Sequence, residues 1–211
     1  MFDLTTIGLF ALASILLAIT PGPDMIYIIT RSISQGRNAG VVSTLGVNTG
    51  ILLHTFAAAL GLSALIAASA VAFSIVKYAG AAYLIYLGVQ TFLSKAEKFQ
   101  VESIANAELS QVFRQGLLVN LFNPKIILFF LSFLPQFVDP SQGNVSLQLF
   151  LLGILFMVCT LPISLGIGLA GGQLGIWLKT RQKIQQVTKW VTGSIYIALG
   201  ITTAMTGTRK T

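Results

Sequence analysis

The stretch ITPGPDMIYIIT, Ile19 to Thr30, sets two prolines, a glycine and an aspartate into a run that is otherwise almost wholly apolar. Proline inside a helix removes a backbone donor and clashes with the carbonyl four residues back. Glycine between two prolines adds conformational freedom, so the segment is expected to break into two half-helices at Pro21, Gly22 and Pro23. A break at membrane depth exposes backbone polar groups, which are tolerated only where protein buries them or a water-filled cavity bathes them. The stretch therefore reads as a cavity wall, provided that the surrounding run spans a bilayer.

Composition satisfies that condition. Of 211 residues, 55% are hydrophobic and only 9% are charged, and the mean hydropathy is +0.83, whereas soluble domains carry about 25% charged residues. The chain reads as an all-α polytopic membrane protein. A bilayer core of roughly 30 Å takes about 20 residues per helix, and the apolar runs give six spans: Leu4–Thr30, Ala39–Ala67, Val71–Leu93, Phe113–Val138, Val145–Ala170 and Trp190–Thr206. Short turns are expected at AFSIV, just before Lys77, and at DPSQGN, Asp139 to Asn144. The one strongly polar segment, Ser94 to Gln111, reads as a surface linker. It divides a single transporter domain, 1–211, into three-helix halves at 1–94 and 113–211, with 95–112 as a cytoplasmic linker.

The net charge of +7 comes from thirteen basic residues scattered between apolar runs. There they act as topology marks rather than as a nucleic-acid surface. Arg31, Arg37, Lys95, Lys98, Arg114, Lys179, Arg181, Lys183 and Lys189 fall on one side of a six-span chain, and Lys77, Arg209 and Lys210 on the other. The positive-inside rule then puts both termini on the non-cytoplasmic side of the bacterial inner membrane. The N-terminus lacks a basic n-region, so its apolar segment is expected to remain as the first span. Cys159 stands alone and reads as packing.

The two halves answer each other. Written above LLVNLFNPK (Leu117 to Lys125), LLAITPGPD (Leu16 to Asp24) brings leucines, a proline and a charge into register: Pro124 follows Pro23 by 101 residues, and Lys125 follows Asp24 by 101. Three spans per half is odd, so the second copy would be inverted, the plan of many secondary transporters. Helices 1 and 4 would each be broken by proline. Asp24 and Lys125 then sit at the positive ends of resumed half-helices, where an acid is favoured and a lysine is not. Facing each other, they complement a zwitterion: Lys125 and free amides toward a carboxylate, Asp24 toward an amino group or a proton. The competing reading is a structural ion pair that only holds the broken helices together.

Asn120 and Asn123, before Pro124, are placed to cap the resumed helix or to bond substrate. Gly46, Gly50 and His54 share one helical stripe in GVNTGILLH; the small residues let another helix come close, and the imidazole faces inward with them. His54 then either relays protons or makes a neutral contact across helices. Asn48 lies off that stripe. GIGLAGG, Gly166 to Gly172, has small-residue spacing for packing or a subunit contact, and Pro162 adds a kink to its span.

No HExxH, zinc pair, carboxylate dyad or P-loop occurs, which argues against an enzyme or an ATPase and against a metal or other cofactor. An ion gradient is left to drive any flux.

These motifs resemble the LysE/RhtB family of bacterial amino-acid exporters. TPGPD, SQGRNAG, GVNTGILLH, KYAGAAYLIYLGVQ and NLFNPKIILFFLSFLPQFV follow that family's pattern in order and nearly throughout. The resemblance implies a six-span, dimeric inner-membrane carrier that exports amino acids or close derivatives in exchange for protons. It places the signature positions on Pro21, Gly22, Pro23 and Asp24, and on Asn123, Pro124 and Lys125. With one acid at the site, a neutral amino acid is the expected cargo. An inorganic-cation exporter and a non-transporting membrane subunit are the alternatives.

Overall fold

The computed structural model describes residues 2–93, 105–180 and 182–205, and every regular element among them is helical. Helix α1 (Leu4–Ile19) starts where the Asp3 carboxylate accepts a hydrogen bond from the Thr6 amide at 2.7 Å. It stops at Thr20, and α2 (Pro23–Gln35) resumes with Pro23 in its first turn, where a missing N–H costs nothing. The chain bends by 51° between them. Gly36, at φ 82°, turns the chain into α3 (Arg37–Ala57). A π-helical turn, Ala58–Leu62, carries α3 on into α4 (Ser63–Ala68).

The chain next turns at Ser69, extended at φ −160°, and not at AFSIV. Ser69 Oγ accepts the Ala72 amide at 3.1 Å and so caps α5 (Ala70–Leu93), which takes AFSIV into its first turns. A capping serine outweighs a run with neither cap nor breaker. Lys77, expected in a loop, therefore lies within α5, 2% exposed, with its ammonium 5.3 Å from the Tyr78 ring centre. Arg31, also expected at a span end, is buried within α2.

The second broken pair comprises α6 (Leu109–Leu121) and α7 (Pro124–Leu128), bent by 47°. Beyond α7 the helix loosens through a π-helical turn, Phe129–Phe133, into a tight turn, Leu134–Phe137. DPSQGN closes the next corner: Asp139 Oδ1 accepts the Ser141 amide, and Asn144 Oδ1 accepts the Leu147 amide. Helix α8 (Val145–Thr180) then runs through Pro162 without a break, and α9 (Gln182–Met205) follows.

Among the described residues, three helices are long and apolar enough to cross a membrane, Arg37–Ile66, Ala70–Leu93 and Val145–Gly171, and up to five spans result if each bent pair counts as one. The expected sixth, Trp190–Thr206, falls on α9 as far as Met205, but α9 opens with the polar QKIQQVTK and is not among these spans. Of the expected linker, residues 94–104 lie outside the described residues, and Leu109 to Gln111 already belong to α6.

Helix directions follow from the points of contact. Along α3, Gly46 meets Phe113 and Gly50 meets Asn120, so α3 and α6 run parallel. Gly40 meets Gly168 and Thr55 meets Gly153, so α8 runs antiparallel to α3. Phe92 meets Gly193 and Ile85 meets Gly200, so α5 and α9 are antiparallel. A Cβ on Gly40 or Gly46 would fall onto the backbone of the neighbouring helix, the small-residue packing that apolar solvent favours. Phe10, Phe129, Phe130, Phe133, Phe137 and Phe156 stack on one another between α1, α8 and the stretch after α7.

Two glycines of GIGLAGG separate packing from mere smallness. A Cβ on Gly168 would come within 2.7 Å of the Gly40 carbonyl oxygen, while one on Gly166 meets nothing within 4 Å. Gly168→Ala is expected to lower the thermal unfolding midpoint in detergent, at a cost of about 1–3 kcal/mol from overpacking. Gly166→Ala is expected to leave it unchanged or raise it, since alanine favours helix by about 1 kcal/mol. Equal midpoints for the two variants would refute the proposed contact.

Candidate functional site at the two helix breaks

The two broken pairs lie side by side and antiparallel. Phe10 meets Phe137 at one end, Tyr27 Oη donates to the Val112 carbonyl at 2.8 Å at the other, and the breaks meet between them. There Lys125 Nζ lies 3.3 Å from Asp24 Oδ1. The same ammonium donates to the Thr20 carbonyl at 3.0 Å and to the Leu17 carbonyl at 3.4 Å. The Thr20 carbonyl is free because α1 ends there, where the last C=O groups lack intrahelical partners; the Leu17 carbonyl also accepts the Thr20 amide, at 3.2 Å.

This geometry explains how a lysine is tolerated at the start of α7. Its backbone is at a positive helix end, but its side chain crosses to the negative C-terminal end of α1. Asp24, in the first turn of α2, sits at a positive end. Each charge thus faces a helix end of opposite sign, equivalent to roughly half an elementary charge. Lys125 is 3% exposed and Asp24 14%. Desolvating such a pair costs several kcal/mol per ion unless further hydrogen bonds complete it; the two carbonyls supply them to the ammonium, while Asp24 Oδ1 has the ion pair alone.

Asn123 precedes Pro124 as the N-cap of α7, its Oδ1 accepting the Lys125 amide at 3.1 Å. Gly22 has a different task from the conformational one expected of it. Its φ of −156° is extended backbone open to any residue. Space is what demands glycine: a Cβ there would stand 2.9 Å from Asp24 Oδ1 and 3.0 Å from Lys125 Nζ.

The pair lines a cavity of about 430 Å³, counting the space at its mouth. Apolar side chains form most of its wall, among them Met25 and Ile28 of α2, Val47 and Ile51 of α3, and Phe156 and Ile167 of α8. Thr160 and Ser164 contribute the only uncharged polar side chains to the lining. Sequence reasoning did not find them. Their signal was their spacing of four around Pro162, on the α8 face shared with Phe156.

The other expected site residues stand apart from the cavity lining. His54 is half-buried, its Nε2 3.4 Å from the Asn120 carbonyl and its ring 5.7 Å from that of Phe130. The Asn120 side chain is fully buried against Gly50 and has no hydrogen-bond partner. Gly46 and Gly50 face α6. Arg31, expected as a topology charge at a span end, instead anchors a further polar cluster. Arg31 donates to Gln35 Oε1 at 2.5 Å, to Gln115 Oε1 at 2.6 Å and to the Ala105 carbonyl at 3.2 Å, tying α2 to α6. Among the described residues, no group of three His, Cys, Asp or Glu side chains is placed to hold a metal ion.

The family model described as LysE type translocator matches residues 15–207, which include both breaks and the ion pair. The chain belongs to that family. It is therefore a translocator and not an enzyme, a multi-pass protein of the membrane. The homoserine/homoserine lactone efflux protein of Salmonella typhimurium is 32% identical over 192 residues, covering 90% of this chain and 92% of the relative. An uncharacterized membrane protein of Bacillus subtilis is 33% identical over 199 residues, covering 90% and 94%. The leucine efflux protein of Salmonella choleraesuis is 26% identical over 189 residues, covering 89% of each. No solved structure matches the chain.

A double-mutant cycle measures the ion pair of this translocator. Lys125→Met leaves Asp24 charged and partly buried, and is expected to destabilise by about 3 kcal/mol. Adding Asp24→Asn to it is expected to recover a large part of that loss, because no uncompensated charge remains. Thermal unfolding in detergent reads both, and additive losses would show that the two side chains do not interact.

Proposed function

We propose that this translocator exports small neutral amino acids, or close derivatives of them, across the bacterial inner membrane in exchange for protons. The observation that carries the reading is the Asp24–Lys125 pair lining a largely apolar cavity between two interrupted helices. Ionisable groups inside a membrane are costly and mark transport paths. Interrupted helices at the repeat interface are where secondary carriers bind their cargo.

A zwitterion fits the pair in one orientation. Its carboxylate takes the Lys125 ammonium and its amino group takes Asp24, so one ion pair is replaced by two. When cargo leaves, Asp24 takes either a proton or its old partner, which couples export to proton entry. With one acid and one base at the site, no charge is left for an ionised side chain. Two relatives are named for cargo with uncharged side chains, homoserine or its lactone in one and leucine in the other.

Six spans arranged as two inverted halves, 1–94 and 113–211, form part of the same proposal. Three directions support it: an odd number of spans per half makes α3 and α6 parallel, α3 and α8 antiparallel, and α5 and α9 antiparallel, as their contacts have them. Rocking one half against the other would expose the cavity to each side in turn. In this reading the termini face away from the cytoplasm, by the positive-inside rule, and two copies assemble as a homodimer. A cation exporter is disfavoured because the buried ammonium would repel a metal ion from the one acid beside it.

Everted membrane vesicles containing the protein are expected to take up labelled homoserine or leucine faster when a proton gradient is imposed. Asp24→Asn and Lys125→Gln are each expected to bring that uptake to the level of vesicles without the protein. Uptake indifferent to the gradient, or retained in both variants, would sink the reading.

A further inference from the structure

The α8 wall of the cavity carries a pattern that the charged pair does not use. Thr160 and Ser164 lie one turn apart, and both line the cavity. Their own protons are committed to the helix: Ser164 Oγ donates to the Thr160 carbonyl at 3.0 Å or the Leu161 carbonyl at 3.1 Å, and Thr160 Oγ1 to the Met157 carbonyl at 3.4 Å. A hydroxyl has one donor and two acceptor lone pairs. What these two offer the cavity is therefore acceptor capacity.

Asn48 of α3 stands beside them, 6% exposed. Its Nδ2 donates to the Thr44 carbonyl at 2.9 Å and to Ser164 Oγ at 3.2 Å. The carbonyl can only accept, so the amide orientation is fixed, and Asn48 Oδ1 is the atom left buried without a partner. An unpaired buried acceptor costs about 1–3 kcal/mol and is retained more readily where a ligand or water completes it. Two hydroxyl acceptors thus face the cavity on a helix whose other lining members are Phe156 and Ile167, and the unsatisfied Asn48 Oδ1 lies buried behind them, outside the lining.

We infer that Thr160 and Ser164, the latter held by Asn48, form the side-chain selectivity element of this translocator and accept a hydrogen bond from a hydroxyl on the cargo. The inference rests on the proposed amino-acid export and specifies its substrate class: neutral amino acids with a hydroxylated side chain, ahead of aliphatic ones of the same size. Asp24 and Lys125 hold the two backbone charges that every amino acid shares. The α8 wall reads what differs. A wall that bonds a hydroxyl also rejects the analogue that would leave its acceptors unpaired, which is a stronger filter than cavity size alone.

Homoserine and norvaline form the test pair, since norvaline replaces the hydroxyl by a methyl. Proton-driven uptake of each into everted vesicles gives a ratio of kcat/KM for homoserine over norvaline. The wild-type protein is expected to favour homoserine at least tenfold, and Ser164→Ala and Thr160→Val are each expected to lower the ratio by roughly tenfold, chiefly through the KM for homoserine. Ser164→Thr, which keeps a hydroxyl, is expected to hold the ratio near the wild-type value. If Ser164→Ala does not insert into the membrane, the near-isosteric Thr160→Val carries the measurement. A ratio that stays within twofold of wild type in Thr160→Val, or a wild-type preference for norvaline, overturns the selectivity element while leaving amino-acid export standing. Absence of uptake of both compounds by the wild type overturns the export reading, and the inference with it.

Discussion

The interaction on which the structure turns is the reach of the Lys125 ammonium across to the end of α1. One side chain, rooted in the second break, satisfies the Thr20 carbonyl that the first break leaves open, reaches the Leu17 carbonyl as well, and meets the carboxylate of Asp24 in the same place. Neither interrupted helix would be tolerable alone in a medium that offers its backbone no hydrogen bonds. Together each supplies what the other lacks. The ion pair and the broken helices therefore form one device: without the breaks there are no free carbonyls, and without the carbonyls the ammonium is under-solvated.

Around that crossing the two broken pairs are fastened by different chemistry at their two ends. At the α1 end, Phe10 rests on Phe129 and Phe137, an apolar contact that aromatic edges and faces can reform in more than one arrangement. At the α2 end, Arg31 and Tyr27 bond Gln115 and the backbone of α6, and Gln35 bonds the Ala107 carbonyl at 2.8 Å. Directional hydrogen bonds hold or release as a set; stacked rings slide. The cavity lies between a contact of each kind.

Much of this was legible in the chain. The apolar runs announced spans because lipid offers the backbone no partner, and proline and glycine announced the breaks because their restrictions are local and act in any fold. The pairing of Asp24 with Lys125 was legible because charges are so rare in these segments that two at matching positions stand out. What escaped notice depended on tertiary distance. Gly22 was read as a source of flexibility, whereas the observed φ of −156° requires none and the crowding requires a missing side chain. Arg31 and Lys77 were read as loop charges, since nothing local says that a basic residue is buried. Thr160 and Ser164 carry no mark in the chain, since only the cavity gives them a side to face.

A closely held ammonium and carboxylate also make the resting site electrically silent. Opposite unit charges 3.3 Å apart move through nearly the same part of the voltage drop, so the work of about 2.3 kcal/mol per charge per 100 mV cancels between them. A zwitterion bound to the pair, as proposed, would change nothing in that sum. In the proposed exchange the voltage across the lipid would therefore find little to pull on with the site empty or loaded, and would gain its grip only through a proton that travels without a partner.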